Sequence, residues 1–189
     1  MQYTLTHTTG ILPAGKWSID PTHSRIGFSA RHMMVSKVSG EFREFDAEIH
    51  VEEDHLQSQL TAEVQMDSID TGNSDRDNHL RTNDFFDIEN HPTMTLVSRA
   101  FQPTEGKFSM SADLTIKGIT KVVQFEITFE GAGQDPWGGT RAGFSAVTTI
   151  NRRDWGIEWN APLEAGGVLV GEKVVIDLDI QLVYDGSSK

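Results

Sequence analysis

Residues 108–129, FSMSADLTIKGITKVVQFEITF, decide the fold. In the first half Phe108, Met110, Ala112, Leu114 and Ile116 alternate with Ser109, Ser111, Asp113 and Thr115. In the second half Val123, Phe125, Ile127 and Phe129 alternate with Gln124, Glu126 and Thr128. A period of two puts the apolar set on one face of an extended strand and the polar set on the other. Between the halves stands Lys117-Gly118-Ile119-Thr120, where Gly supplies the backbone freedom of a tight hairpin. Strands that bury one face and wet the other belong to antiparallel sheets, because a parallel sheet covered on both faces reads as continuous apolar runs.

The same period extends outward in both directions. Leu60, Ala62, Val64 and Met66 carry it, as do Ile176, Leu178, Ile180 and Leu182 set against Asp177, Asp179 and Gln181. Residues 17–31 show it through Ile26, Phe28 and Ala30. Across 38–51 the apolar parity switches from Val38, Gly40 and Phe42 to Phe45, Ala47, Ile49 and Val51, which predicts a bulge near Glu44. Strands at 93–101 and 140–151 bring the total to about eight. Further turns are predicted at Thr104-Glu105-Gly106-Lys107 and Asp135-Pro136-Trp137-Gly138-Gly139. A short helix fits 74–82, where Ser74 and Asp75 open a non-alternating stretch, and another helical turn fits 152–156. With no repeat or linker, the chain reads as one all-β domain over 15–185, an N-terminal extension at 1–14 and a tail at 186–189. About eight such strands close into a barrel, which removes the exposed edges of an open sheet. A barrel of that size either fills itself with side chains or holds one small ligand.

Composition narrows the function. The chain has 28 acidic and 16 basic side chains and a net charge of -12, so a polyanion is repelled and nucleic acid is not an expected partner. The absence of Cys removes disulfides, thiolate nucleophiles and Cys-ligated zinc. No segment has the roughly 18 apolar residues of a spanning helix, so membrane insertion is not expected. Residues 1–14 carry neither Lys nor Arg nor an apolar core, unlike a secretory signal, and the expected compartment is the cytoplasm. The densest polar cluster, 70–79 followed by Asp84, Asp87 and His91, invites a metal. However, a calcium loop counted from Asp75 has Leu80 where Gly is required, and no H-E-x-x-H occurs. Asp75 and Asp77 suit the positive end of a short helix instead. His23 and His32 fall on opposite parities of one strand region, which disfavours a shared ion. The usual nucleophile and nucleotide-binding motifs are absent as well. No catalytic residue, metal or cofactor is assigned; the acid/base pair open to an enzyme reading is Asp77 with His79.

The predicted inner face is rich in Phe, from Phe28, Phe45 and Phe108 to Phe125, Phe129 and Phe144, and is completed by Met110, Leu114, Leu178 and Ile180. Such walls suit a flexible apolar chain. The same side chains serve a filled core equally well.

Short blocks run in a fixed order along the chain. They begin with Trp17-Ser18-Ile19-Asp20-Pro21-Thr22-His23-Ser24, Phe28, Arg31-His32-Met33-Met34 and Val38-Ser39-Gly40-Glu41-Phe42. Ser68-Ile69-Asp70-Thr71, Arg76-Asp77-Asn78-His79-Leu80, Asp84-Phe85-Phe86-Asp87, His91-Pro92 and Leu114-Thr115-Ile116-Lys117-Gly118-Ile119-Thr120 follow in order. Ile150-Asn151-Arg152-Arg153-Asp154-Trp155-Gly156 and Val170-Gly171-Glu172-Lys173-Val174 end the series, which spans roughly 17–183. In these blocks the chain resembles the YceI family of lipid-binding proteins, and the resemblance implies a lipocalin-like extended antiparallel barrel that stores or transports a long-chain amphiphile without catalysis. The implied ligand is a polyisoprenoid, an isoprenoid quinone or a fatty acyl compound, and the implied assembly is a homodimer. Asp20-Pro21, Gly40, Gly118 and Trp155-Gly156 are expected to set backbone shape. Arg31, His32, Arg76 and Arg152 are expected near one mouth, attracting an anionic or carbonyl head group. Two alternatives stay open: a filled barrel working through its surface in stress response, and an enzyme acting on an isoprenoid lipid.

Overall fold

A computed structural model describes residues 12–186. The alternating segments become strands: β1 (Gly15–Ile19), β2 (Arg25–His32), β3 (Ser36–Phe42), β4 (Phe45–Val51), β5 (Gln59–Gln65) and β6 (Ile69–Asp70). They continue with β7 (Thr93–Thr104), β8 (Lys107–Ile116), β9 (Ile119–Gln134), β10 (Thr140–Asn151) and β11 (Val170–Gly186). All neighbours pair antiparallel. A 3₁₀ turn at Pro21–His23 interrupts one stave between β1 and β2, and another at Met66–Ser68 lies between β5 and β6. Counted as staves, β1/β2, β3/β4 and β5/β6 join five unbroken strands in a closed eight-stranded antiparallel barrel.

Closure depends on β11. One edge pairs with β10 from Arg141↔Val183 to Asn151↔Lys173. The other edge is shared, with β2 along its first half and β1 at Leu182, Val183, Tyr184 and Gly186. The upper end of the barrel carries Gly15, Val51, Thr104 and Tyr184, and the lower end carries His32, Ser36, Ile116 and Asn151.

The bulge expected near Glu44 is a break in the strand. β3 pairs with β2 and β6, whereas β4 pairs with β1 and β5. The Arg43 and Glu44 amides both donate to Ser68 Oγ, at 3.1 and 3.0 Å. The change of apolar parity therefore records a corner. True register shifts occur at Ser98/Ala100 in β7, at Glu130 in β9 opposite Gly143/Phe144, between Val170 and Val174 in β11, and at Asp185 in β11 opposite Lys16/Trp17.

Two buried tryptophans organise the core. Trp17 centres an upper cluster with Ile49, Val51, Ala142 and Leu182, and its indole donates to Pro13 O at 3.0 Å. Trp155 anchors a lower cluster with Phe85, Leu114, Ile116 and Phe125, and donates to Leu114 O at 3.0 Å. The lower end is packed by α1 (Ser74–Arg81), capped by the Asn73 side chain, and by Leu80, Phe85 and Phe86. The helical turn expected at 152–156 is a 3₁₀ turn, Arg152–Trp155. Of the expected N-terminal extension, residues 1–11 lie outside the described residues, as do 187–189 of the tail.

Candidate functional site

The inward sets of these strands leave space between them. An upper chamber of about 230 Å³ and a lower one of about 130 Å³ share Ile26, Met94 and Ile176 in their walls, so they adjoin along the barrel axis. Seven residues expected to face a ligand line the upper chamber: Phe108, Met110, Leu114, Phe125, Phe144, Leu178 and Ile180. Phe28 lines the lower one. Phe45 and Phe129 instead pack against the Trp17 cluster, where the Phe129 ring lies 5.3 Å from that of Phe144.

The remaining wall comes from residues that sequence reading left out of the site. Ile49, Leu60, Ala62 and Val64 contribute from β4 and β5, Met94, Leu96 and Phe101 from β7. The β5 residues carried a visible alternation. Phe101 did not, because the register shift at Ser98/Ala100 changes its parity relative to Met94 and Leu96. The lower chamber adds Phe42, Leu80, Phe85, Phe86, Trp155 and Ile157, several of them from segments without alternation.

Polar groups on these walls are few: Asp46, His55, Ser58 and Thr95 in the upper chamber, Arg152 in the lower. In the upper chamber His55 Nε2 lies 3.1 Å from Leu12 O, and Ser58 Oγ accepts from Glu52 N at 3.1 Å. In the lower chamber Arg152 is buried, and burial pushes its guanidinium below its ordinary pKa. It donates to Gly171 O at 2.9 Å, Ile157 O at 2.8 Å and Val170 O at 3.4 Å. Among the described residues every buried side-chain nitrogen or oxygen has a partner, and no group of three or more His, Asp or Glu is placed to hold a metal. Inside the tube the chemistry is that of apolar contact.

The four residues expected around a head group divide. Arg152 lines the lower chamber. Arg76 turns to Thr71, donating to Oγ1 at 2.8 Å and to the carbonyl at 2.9 Å. Arg31 is exposed and His32 half-buried at the lower end of β2. The pair weighed for catalysis does not converge. Asp77 accepts from the amide and hydroxyl of Thr71, while His79 Nε2 lies 2.8 Å from Asp84 Oδ2, and neither lines a chamber.

Comparison with known proteins sets this barrel among relatives. Residues 17–182 match the YceI-like domain family. The chain belongs to that family. A UPF0312 protein of Staphylococcus epidermidis is 40% identical over 172 residues, covering 90% of this chain and 98% of the relative. A UPF0312 protein of Staphylococcus aureus is 38% identical over 160 residues, covering 84% and 91%. Solved structures share the YceI-like fold. BcnA of Burkholderia cenocepacia superposes with a TM-score of 0.75 at 22% identity, covering 86% of this chain and 98% of that one. A polyisoprenoid binding domain from Saccharophagus degradans gives 0.63 at 14% identity, covering 88% and 97%. In this YceI-like barrel no helix among the described residues is long and apolar enough to cross a membrane.

Proposed function

We propose that the protein binds one long-chain amphiphilic lipid, a polyisoprenoid or isoprenoid quinone, threaded through the two chambers, and stores or carries it without transforming it. The observation that carries this reading is the apolar tube itself: two adjoining chambers walled by aliphatic and aromatic side chains, with few polar groups among them. Each methylene removed from water contributes about 0.8 kcal/mol, so a long chain needs no polar contact to bind tightly. The structural likeness to a polyisoprenoid binding domain supports the same ligand class. Asp77 and His79 each hold a different partner and neither lines a chamber, which favours binding over catalysis, and the chambers weigh against a wholly filled barrel.

In this reading the tail occupies the upper chamber and the head group rests at the lower rim, near Arg31 and His32. The carrier acts in the cytoplasm as a homodimer. A polyprenol series of rising length tests the proposal. Affinity measured by calorimetry is expected to rise with each isoprene unit and to level off once the tube is full. Affinity independent of length would overturn it. Arg31→Gln and His32→Gln are expected to change the preference between alcohol and quinone heads, and an unchanged preference removes them from the head-group site.

A further inference from the structure

The turn joining β2 to β3 is built from residues that fit it poorly. His32 O accepts from Val35 N at 3.2 Å across Met33 and Met34, whose φ angles are 52° and 64°. Two successive left-handed residues make the kind of turn that Asn-Gly ordinarily supplies, because a side chain with a Cβ is crowded there. Here both are long apolar side chains, and both are exposed: Met33 is 45% accessible, Met34 62% and the following Val35 80%. Met33 N donates to Leu169 O at 2.8 Å, which brings exposed Val168 beside them. The result is an apolar tip on the lower end, beside strand ends whose Ala30 and Val170 line the lower chamber.

Three cations stand on the strands beside it. Arg31 and Lys37 stand directly opposite each other across β2 and β3, a like-charged pair that a sheet ordinarily avoids. Lys173 lies in the shifted segment of β11 between the two residues that pair with His32 and Ala30. Among the described residues none of these three cations has a carboxylate within ion-pair distance. The nearby Glu172 is held by Arg153 at 3.0 Å. A strained apolar turn ringed by unmatched cations, on a chain of net charge -12, is costly to the fold on two counts. The exposed apolar surface and the cation repulsion, though not the backbone strain, are relieved against an anionic lipid surface, where the methionines and Val35 enter the acyl boundary and the cations meet phosphates.

We propose that the Met33-Met34-Val35 tip docks the barrel on an anionic phospholipid bilayer, placing the lower end against the membrane. The purpose of such docking, lipid exchange, rests on the carrier reading above; the docking itself does not. The test is co-flotation of the full chain with vesicles of phosphatidylcholine and phosphatidylglycerol, against vesicles of phosphatidylcholine alone. The wild type is expected to float with the mixed vesicles and far less with the neutral ones. Met33→Asn combined with Met34→Gly is expected to abolish flotation while raising the melting temperature, since it gives the turn its preferred residues. Arg31→Gln and Lys37→Gln are each expected to weaken partition about fivefold. Trp137→Ser, which removes the 87% exposed Trp at the opposite end, is expected to change nothing. Polyprenol loading from detergent micelles should be the same for the wild type and the Asn-Gly variant, so a failed carrier reading shows there and a failed docking shows in flotation. A wild type that does not float, or an Asn-Gly variant that floats as well, overturns the proposal. So does a variant that changes only the oligomeric state, because the tip would then join two copies of the chain.

Discussion

Asp20 ties three parts of the chain together. Its Oδ1 accepts from Thr22 N at 3.0 Å, and its Oδ2 lies 2.9 Å from His23 Nδ1, 2.6 Å from Arg141 Nη1 and 3.3 Å from Gln181 Nε2. The hydrogen bond with His23, then those from Arg141 and the Thr22 amide, hold its carboxyl at about 2, below the ordinary 3.8. A depressed carboxylate stabilises the fold above its unfolded pKa and loses that contribution as pH falls through the folded one. Melting temperature is therefore expected to fall between about pH 4 and pH 2, and to fall less in Asp20→Asn. Asp20→Ala is expected to cost about 2 kcal/mol at neutral pH, read by urea denaturation. Arg152 is a second such residue. Arg152→Met leaves the buried carbonyl of Ile157 and the half-buried one of Gly171 without this donor, and about 3 kcal/mol of stability is expected to be lost. Neither role was visible in the sequence. Asp20 was read as a shape residue without its partners, 121 and 161 positions away, and Arg152 as a head-group ligand, because only the fold brings the β11 carbonyls to its guanidinium.

At the scale of elements, the hairpin β8–β9 came directly from the alternation of 108–129 and the Gly between its halves. Gly118 has φ 73°, and a Cβ there would stand 3.0 Å from His91 Cε1. Gly118→Ala is expected to lose about 1 to 2 kcal/mol by chemical denaturation. The period of two was a sound guide wherever the strand was straight. It failed where staves bend: the Phe42/Phe45 corner looked like a bulge, and Phe101 fell on the wrong parity behind the β7 register shift. Wall residues from α1 and the segment after it, such as Leu80 and Phe85, had no periodic signal at all. On β10, Ala146 lies opposite Ile127 and Leu178, all three on the upper wall. Ala146→Phe is expected to displace about two methylenes of bound chain and weaken polyprenol affinity about tenfold, with the melting temperature of the empty protein held.

The whole molecule is a tube because β1 and β2 divide one edge of β11 between them, so that the first and last strands close the sheet. Closure and strand number were legible from period and length. Whether the interior holds space was not, because that depends on how the summed side-chain volumes fill a shape fixed by stagger and tilt. Small residues at Ala47, Ala62 and Ala146 face the upper chamber where bulky ones would fill it. Native mass spectrometry of the purified protein, followed by organic extraction and identification of what is released, shows whether the barrel holds a lipid. A long-chain isoprenoid bound one per barrel is the result expected. A bare protein that also takes up neither polyprenol nor isoprenoid quinone when they are added would contradict it.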